Sequence, residues 1–299
     1  CIRDRDVGIT ARYADRLGTG KGWTYNDGDR TNGASAPLYT MLLAAARAAS
    51  IDVLSTARII GTVCYGATVA MVAYLASRFT GLLAGLLAGA FLVCSVTYRM
   101  QALSGMESAL AAALGLAVVV ALVEDRDTWA GVLLGLALVN KLDAGLLALA
   151  VGVVYLYVRR RPPWRIAAIS GALLAPWLVF STWYFGSPLP YSFTQKASGG
   201  VDNPEYAATP TWVLRALAAS GGVQLLLAAA SVLLVLRWRQ TRPLVALGLG
   251  TALAWLVAHG VAFSLLDLGD AYPWYLTVLF PPMALGAATV LGWLAGNAT

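Results

Sequence analysis

Three charged residues that could do chemistry, Glu107, Lys141 and Asp143, lie at the ends of long apolar segments. A charged side chain at membrane depth is costly, and one that is kept there commonly has a function. A carboxylate can accept a proton from a hydroxyl group, and a lysine can stabilise the negative charge of a phosphate. We expect these three side chains to converge on one polar cavity, on the same side of the membrane as Asp6 in the polar N-terminal segment.

The composition of the chain requires lipid around most of it. Of 299 residues, 59% are hydrophobic and only 12% are charged, whereas an average soluble domain has about 25% charged residues. These values exclude a soluble enzyme, a disordered chain and a disulfide-rich secreted module.

His259 is the only histidine and cannot build a zinc site alone. We expect it to be buried and hydrogen-bonded near the outer end of its helix.

Hydropathy predicts the elements that position these residues. The stretch 128–158 is interrupted by polar residues 140–143, and we interpret it as two helices that meet at this break. Residues 38–51 are too short to span and suit an interfacial helix. Together with the runs listed next, the sequence predicts an all-α integral membrane bundle of about nine spans. The other apolar runs lie at 57–77, 80–97, 104–123, 166–184, 216–236, 243–263 and 274–295.

The distribution of basic residues predicts the orientation. One face carries the arginine-rich short loops, whereas the short loops of the other face carry Arg99, Lys141 and Lys196. The positive-inside rule makes the arginine-rich face cytoplasmic, so the large first loop within 1–56 is extracytoplasmic and 57–299 forms the bundle. Because the chain begins at Cys1 within polar sequence, we expect it to be a fragment that lacks an N-terminal span. The cytoplasmic arginines are Arg78, Arg126, Arg159, Arg160, Arg161, Arg165, Arg237, Arg239 and Arg242.

Five motifs follow one another on the predicted outer face. They are Asp6–Ala14 (DVGITARYA), Ser104–Leu110 (SGMESAL), Asn140–Ala144 (NKLDA), Trp183–Phe193 (WYFGSPLPYSF) followed by Lys196, and Gly269–Tyr275 (GDAYPWY). In this order the motifs resemble those of GT-C superfamily glycosyltransferases that use polyprenyl-phosphate sugars. The resemblance is strongest to the actinobacterial terminal arabinofuranosyltransferases of the cell wall. Lipid A aminoarabinose transferases and protein O-mannosyltransferases are more distant relatives.

The resemblance implies an enzyme that transfers a sugar, with inversion, from a polyprenyl-phosphate donor to a hydroxyl of a glycan, lipid or protein acceptor. Transfer would take place on the extracytoplasmic face of the cell membrane. The family has an Asp-Asp pair where this chain has Arg5-Asp6, and Asp6 matches the second member. Asp6 is therefore the expected general base, with Asp4 as the alternative.

The same resemblance implies the other site residues. Arg12, Lys141 and Lys196 would bind the donor phosphate, and the substrate-binding residues would be Tyr13, Glu107, Asp143, Asp270 and Tyr272. Two structural alternatives stay open. Ser104 and Glu107 have the spacing of a helix capping box, and Lys141 and Asp143 could be an ion pair that closes a helix break.

We expect no cofactor and no metal, since Arg5 stands where a second acid would be needed, although some relatives with pyrophosphate donors use a divalent ion. The expected partners are the lipid-linked donor, the hydroxyl acceptor and membrane lipids, with no nucleic acid.

Two other functions remain. A flippase or transporter for a lipid-linked sugar would be expected to show internal repeats, and none is convincing. The second alternative function is that of an inactive relative that binds the carrier lipid, because Arg5 replaces one acid of the family's Asp-Asp pair. The residues do not identify the sugar.

Overall fold

The computed structural model describes residues 2–28, 30–191, 212–265 and 273–297, and in 2–7, 212–220, 265 and 273–274 it describes the backbone alone. Within these ranges the fold is helical and contains no strand. The helices are α1 (Ile2–Gly18), α2 (Pro37–Ala48), α3 (Val53–Thr80), α4 (Leu82–Cys94), α5 (Val96–Ala102), α6 (Ser108–Val123), α7 (Asp127–Asn140), α8 (Ala144–Arg159), α9 (Trp164–Phe185), α10 (Trp212–Thr241), α11 (Pro243–Leu265), a 3-10 helix (Pro273–Leu279) and α12 (Phe280–Asn297).

Five helical segments of the described chain are long and apolar enough to cross a membrane. They are Val53–Thr80, Trp164–Phe185, Gly221–Thr241, Pro243–Ser264 and Tyr275–Asn297. A sixth span is possible if α4 and α5, which meet at a 70° bend, count as one broken span. The chain is therefore a multi-pass membrane protein.

The prediction of about nine spans is not confirmed, because three of the predicted spans are short helices. Helices α6, α7 and α8 have 16, 14 and 16 residues, which corresponds to about 21–24 Å of length against about 30 Å of hydrocarbon. Their ends fall at the polar turns 104–107, 124–126 and 141–143, where charged residues end the helices inside longer apolar runs.

The N-terminal segment, expected as a loop, contains a helix. Exposed Arg12 is followed directly by buried Tyr13 and Ala14, because successive residues of a helix point about 100° apart. Helix α1 packs on α2, and Ala14 joins Tyr39 and Leu43 of α2 in a small apolar core. Helix α2 is found where the interfacial helix was predicted. Helix α3 begins at Val53, slightly before the domain boundary expected at 57.

Close contact between α6 and α11 determines which part of α11 lies beside the start of α6. A β-carbon added to Gly115 of α6 would lie 2.3 Å from Cη2 of Trp255 of α11. One added to Gly248 of α11 would lie 2.2 Å from Cγ2 of Val123 of α6. The two glycines therefore let the backbones approach closely, as small residues do between membrane helices. This packing brings the start of α6 to the late part of α11.

Replacing Gly115 with valine should destabilise the bundle by about 1–3 kcal/mol, because the added atoms overlap the buried Trp255 ring. Thermal unfolding of the full-length protein in detergent measures this loss. Gly152→Val in α8 is the control, since nothing lies within 4 Å of a β-carbon at that position. Equal losses for the two variants would contradict a close α6–α11 contact.

The ion pair between α1 and α2 should make their packing sensitive to acid. Arg47 Nε donates a hydrogen bond to Asp15 Oδ1 at 2.6 Å, and this bond holds the pKa of Asp15 below its usual value. A lowered folded-state pKa contributes stability above the unfolded pKa, and that stability is lost as the pH falls through the folded value. The wild type should thus be more stable than Asp15→Asn at neutral pH, and this difference should begin to shrink below about pH 4 and vanish below the lowered folded-state pKa of Asp15. A difference that is independent of pH in thermal unfolding would contradict the ion pair.

Candidate functional site

Four elements meet where the polar residues lie. Glu107 immediately precedes α6. Lys141 and Asp143 lie in the three-residue break between α7 and α8. His259 is in the late part of α11, and Tyr275 belongs to the 3-10 helix. We call these five residues the Lys141 cluster.

The distances show that Lys141 is the centre of this cluster. Its Nζ atom lies 3.2 Å from Glu107 Oε1 and 3.8 Å from Asp143 Oδ2, and it lies 4.5 Å from the centre of the Tyr275 ring. Asp143 Oδ2 also lies 3.7 Å from His259 Nε2. The side chains of Glu107 and Lys141 are 8% and 9% exposed. The convergence expected for Glu107, Lys141 and Asp143 is therefore observed.

The charges of the cluster do not balance. Two carboxylates face one ammonium group, so with a neutral His259 the cluster carries a net negative charge. In a poorly solvated site this excess repels an anion and favours hydroxyl or cationic groups. Lys141 already neutralises Glu107, and a donor phosphate would have to compete with that carboxylate for it. The ion-pair interpretation of Lys141 and Asp143 agrees with this geometry.

The turn before α6 shows how Glu107 is aimed at Lys141. Gly105 has φ +81°, a left-handed conformation that glycine adopts easily, and its carbonyl accepts a hydrogen bond from the Tyr39 hydroxyl at 2.7 Å. Ser104 Oγ donates to the Gln101 carbonyl, and Glu107 makes no side-chain capping bond. The predicted capping box is therefore absent, and the Glu107 carboxylate is directed to Lys141.

Several buried polar atoms beside the cluster have no hydrogen-bond partner in the described part of the chain. They include both ring nitrogens of His259 and both side-chain polar atoms of Asn140, which precedes Lys141. Burial of His259 is confirmed at 1% exposure, but the expected hydrogen bond is not formed, and Phe263 instead stacks on its ring at 4.7 Å. Buried polar groups without a protein partner are the ones that can bind ligand groups or water.

The predicted residues of the N-terminal segment make contacts within that segment. Exposed Arg12 donates from Nε to the Tyr25 carbonyl at 3.3 Å. Tyr13 is 2% exposed; its hydroxyl donates to the Thr31 carbonyl at 2.7 Å and accepts from Gly33 N at 3.2 Å. Asp6 lies in α1, where only the backbone is described. Lys196, Asp270 and Tyr272 lie outside the described residues.

The N-terminal segment is fastened to the end of α9. Asn32 Nδ2 donates to Ser181 Oγ at 3.0 Å, and Ser181 Oγ donates to the Ser187 carbonyl at 2.8 Å. The backbone N–H of Tyr191 donates to the Asn32 carbonyl at 2.8 Å. The part of the N-terminal segment around Asn32 thus lies beside the fourth motif.

An apolar groove of about 360 Å³ lies between this segment, α7 and α9. One of its lining residues, Val139, lies two residues before Lys141 in the chain. Its other lining residues are Trp23, Met41, Leu173, Pro176, Trp177 and Phe180.

Sequence reasoning missed two members of the cluster. His259 was expected to be buried but not assigned to the site, although a sole histidine in an apolar helix was a usable signal. Tyr275 closes the fifth motif, but an aromatic residue there is equally typical of an interfacial belt. Among the residues whose placement is described, no group of three or more His, Cys, Asp or Glu side chains is arranged to hold a metal ion.

Removing the charge of Lys141 should destabilise the fold strongly. In Lys141→Met the carboxylates of Glu107 and Asp143 lose their counterion, and breaking a buried pair in this way costs about 3–5 kcal/mol. Adding Glu107→Gln to Lys141→Met should restore part of that loss, because one unpaired charge is removed. A double-mutant cycle by thermal unfolding in detergent measures the coupling. Additive effects of the two substitutions would show that the pair contributes nothing.

Comparisons with known proteins were made by sequence and by structure. No protein-family model matches the chain, and no curated protein sequence matches it. Crystal structures of ArnT from Cupriavidus metallidurans, in the apo state and bound to undecaprenyl phosphate, match with TM-scores of 0.68 and 0.67 at 16% and 15% identity. The archaeal oligosaccharyltransferase AglB from Archaeoglobus fulgidus, in complex with an inhibitory peptide and a dolichol-phosphate, matches with a TM-score of 0.61 at 11% identity.

These matches cover nearly all of this chain but only part of the other proteins. The covered share is 98% or 99% of this chain, against 56%, 58% and 48% of the three solved chains. The chain thus spans about half the length of the structures that it resembles. At such identities the likeness shows the fold, and the expected arabinofuranosyltransferase specificity stays a prediction. The described part of the chain is thus a helical membrane protein with the fold that the ArnT and AglB structures share.

Proposed function

We propose that this chain is the catalytic membrane portion of a glycosyltransferase that moves a sugar from a polyprenyl-phosphate donor to a hydroxyl acceptor on the extracytoplasmic face. The observation that carries the proposal is the buried Lys141 cluster, located at helix ends in a GT-C fold. Its two carboxylates and His259, whose ring nitrogens have no hydrogen-bond partner among the described residues, form a site suited to hydroxyl-rich groups. The resemblance of the motifs favours arabinofuranose as the sugar and a cell-wall glycan as the acceptor.

The apolar groove beside the cluster supports a lipid-linked donor. It is lined by aromatic and aliphatic side chains, among them Val139 close to the end of α7. An isoprenoid chain lying in it would carry its phosphate towards the cluster. The solved neighbours include ArnT bound to undecaprenyl phosphate and AglB in complex with a dolichol-phosphate. The transferred sugar would then occupy the space next to Glu107 and Asp143.

In this proposal the cations divide their roles. Arg12 is exposed and uses one nitrogen on a backbone carbonyl, which leaves the rest of its guanidinium for the donor phosphate. Lys196 would join it from the loop after α9. Lys141 binds the phosphate only by exchanging a carboxylate, and otherwise holds Glu107 and Asp143 in place.

The reaction is a single displacement. The acceptor hydroxyl oxygen attacks the anomeric carbon, the bond from that carbon to the phosphate oxygen breaks, and the polyprenyl phosphate leaves with its electron pair. Asp6 accepts the hydroxyl proton, and the cations stabilise the departing phosphate. Glu107 and Asp143 accept hydrogen bonds from sugar hydroxyls, and Asp270 and Tyr272 complete the substrate site. Tyr13, expected to bind substrate, instead supports the N-terminal segment through its bonds to Thr31 and Gly33.

Replacing Asp6 with asparagine should abolish sugar transfer while donor binding is kept. The full-length protein in membranes is supplied with radiolabelled polyprenyl-phosphate arabinofuranose or mannose and a crude cell-wall acceptor. Loss of a general base lowers kcat by about 10²–10⁴-fold. The control is Asp52→Asn, which removes a carboxylate from the same segment but keeps a residue able to cap α3 in place of the bond from Ser55 N to Asp52 Oδ2.

Each other outcome has a meaning of its own. Equal transfer by wild type and Asp6→Asn would remove Asp6 from the mechanism and direct attention to Asp4. No transfer by the wild type from any donor would contradict the proposed function and favour an inactive carrier-lipid-binding protein or a flippase, since Arg5 replaces an acid of the family pair.

A further inference from the structure

A second pocket lies at the other end of α7 and α8, away from the Lys141 cluster. It has a volume of about 530 Å³ and is enclosed by the start of α7, the end of α8 and the start of α9. Helix α8 separates this pocket from the cluster by its 16 residues, or about 24 Å. The pocket therefore cannot be an extension of the proposed sugar site. It is lined by Asp127, Tyr155, Arg161, Pro162, Pro163, Trp164 and Arg165.

The pocket has an excess of positive charge. Among the residues that the structure describes, Arg161 and Arg165 form no ion pair, whereas nearby Arg159 is paired with Asp125. The pocket's own carboxylate, Asp127, is already engaged, because the Tyr155 hydroxyl donates to its Oδ2 atom at 2.8 Å. Asp127 also lies in the first turn of α7, where the helix dipole stabilises a negative charge. Both arginines are exposed, and Arg161 also lies close to the Tyr155 hydroxyl. Together with Asp127 they give the pocket one net positive charge for an external anion.

The backbone adds donors at the same place. Helix α9 begins at Trp164, and its N-cap residue Pro163 provides no side-chain capping bond. The Trp164 N–H donates to the Pro162 carbonyl at 3.0 Å. The next N–H groups, at Arg165 and Ile166, are of the kind that has no partner within a helix and favours a phosphate. Arg165 lies in this first turn, so its guanidinium and the uncapped helix start face the same small volume.

The surroundings of the pocket are those of a lipid-facing surface. Trp164 stands on its rim with 74% of its surface exposed, and tryptophan is typical of the headgroup region of a membrane. From this rim α9 runs on as a candidate span of which only 17% is buried inside the protein. Apolar side chains such as Leu156 and Val179 are exposed on the adjoining faces, so acyl chains have a surface to lie against.

We propose that this pocket binds the phosphodiester group of an anionic phospholipid. Arg161, Arg165 and the N–H groups at the start of α9 contact the phosphate, and the acyl chains lie along α9. The lipid is a structural ligand at the arginine-rich end of the bundle, and it is separate from the polyprenyl phosphate of the proposed transfer reaction.

Binding is measured by native mass spectrometry of the full-length protein in detergent, with phosphatidylglycerol, phosphatidylcholine or inorganic phosphate added. Phosphatidylglycerol should bind about tenfold more tightly than phosphatidylcholine, because its phosphate charge is not offset by a choline cation and each arginine near an anionic lipid is worth about 1 kcal/mol. The Arg161→Gln/Arg165→Gln variant should lose this preference. Arg161→Lys/Arg165→Lys should keep much of it, since the charge remains.

The matched control is Arg126→Gln/Arg237→Gln, which removes the same charge from exposed arginines outside the pocket and should keep the preference. The site would be overturned if Arg161→Gln/Arg165→Gln kept the preference for phosphatidylglycerol. It would also be overturned if this variant and the Arg126→Gln/Arg237→Gln control lost the preference alike. Inorganic phosphate that displaces the lipid at millimolar concentration would show a free-phosphate site and overturn the lipid assignment. Size-exclusion chromatography confirms that each variant is folded.

Discussion

The pairing of one buried lysine with two carboxylates is the interaction on which the rest of the structure depends. A charge in an apolar bundle is tolerated only when counterions are close, so the segments that carry Glu107, Lys141 and Asp143 must end where the three side chains can touch. Helix α6 therefore begins at Ser108, and the α7–α8 break lies at residues 141–143. The need to pair these buried charges therefore accounts both for the three short helices and for the position of the candidate site.

The N-terminal segment completes this arrangement from outside the bundle. Tyr39 holds the Gly105 turn, Arg47 ties α2 to α1, and Asn32 fastens the segment to α9. These contacts join the helix that carries Asp6 to the turn that carries Glu107. A reaction in which a base and a sugar-binding carboxylate act together needs such a connection, because small errors of position are costly in rate.

The two ends of the bundle differ in charge and in the ligands that they suit. Around Lys141 the carboxylates are in excess, which suits neutral hydroxyl groups more than anions. Around Arg161 and Arg165 the cations are in excess, which suits phosphate. This asymmetry follows the bias of arginines to one set of loops, which also predicts the orientation of the chain. One charge pattern thus serves both topology and binding.

The sequence by itself determined the lipid environment, the helical class and the positions of most helix ends. These properties are local, since hydropathy and charge are read along a short stretch of chain. The convergence of Glu107, Lys141 and Asp143 was also predictable, because helix ends on one side of a membrane share one plane. The N-terminal helix was missed, since its apolar positions are few and its burial depends on α2.

Only the tertiary structure decided which side chains meet within that plane. The pairing of Lys141 with Glu107, the membership of His259 and Tyr275, and the burial of Tyr13 depend on how helices rotate and approach. Gly115 and Gly248 set that approach through contacts with Trp255 and Val123 that are distant in sequence. Hydropathy contains no information on such contacts, because a glycine facing lipid and a glycine facing another helix have the same apolar character.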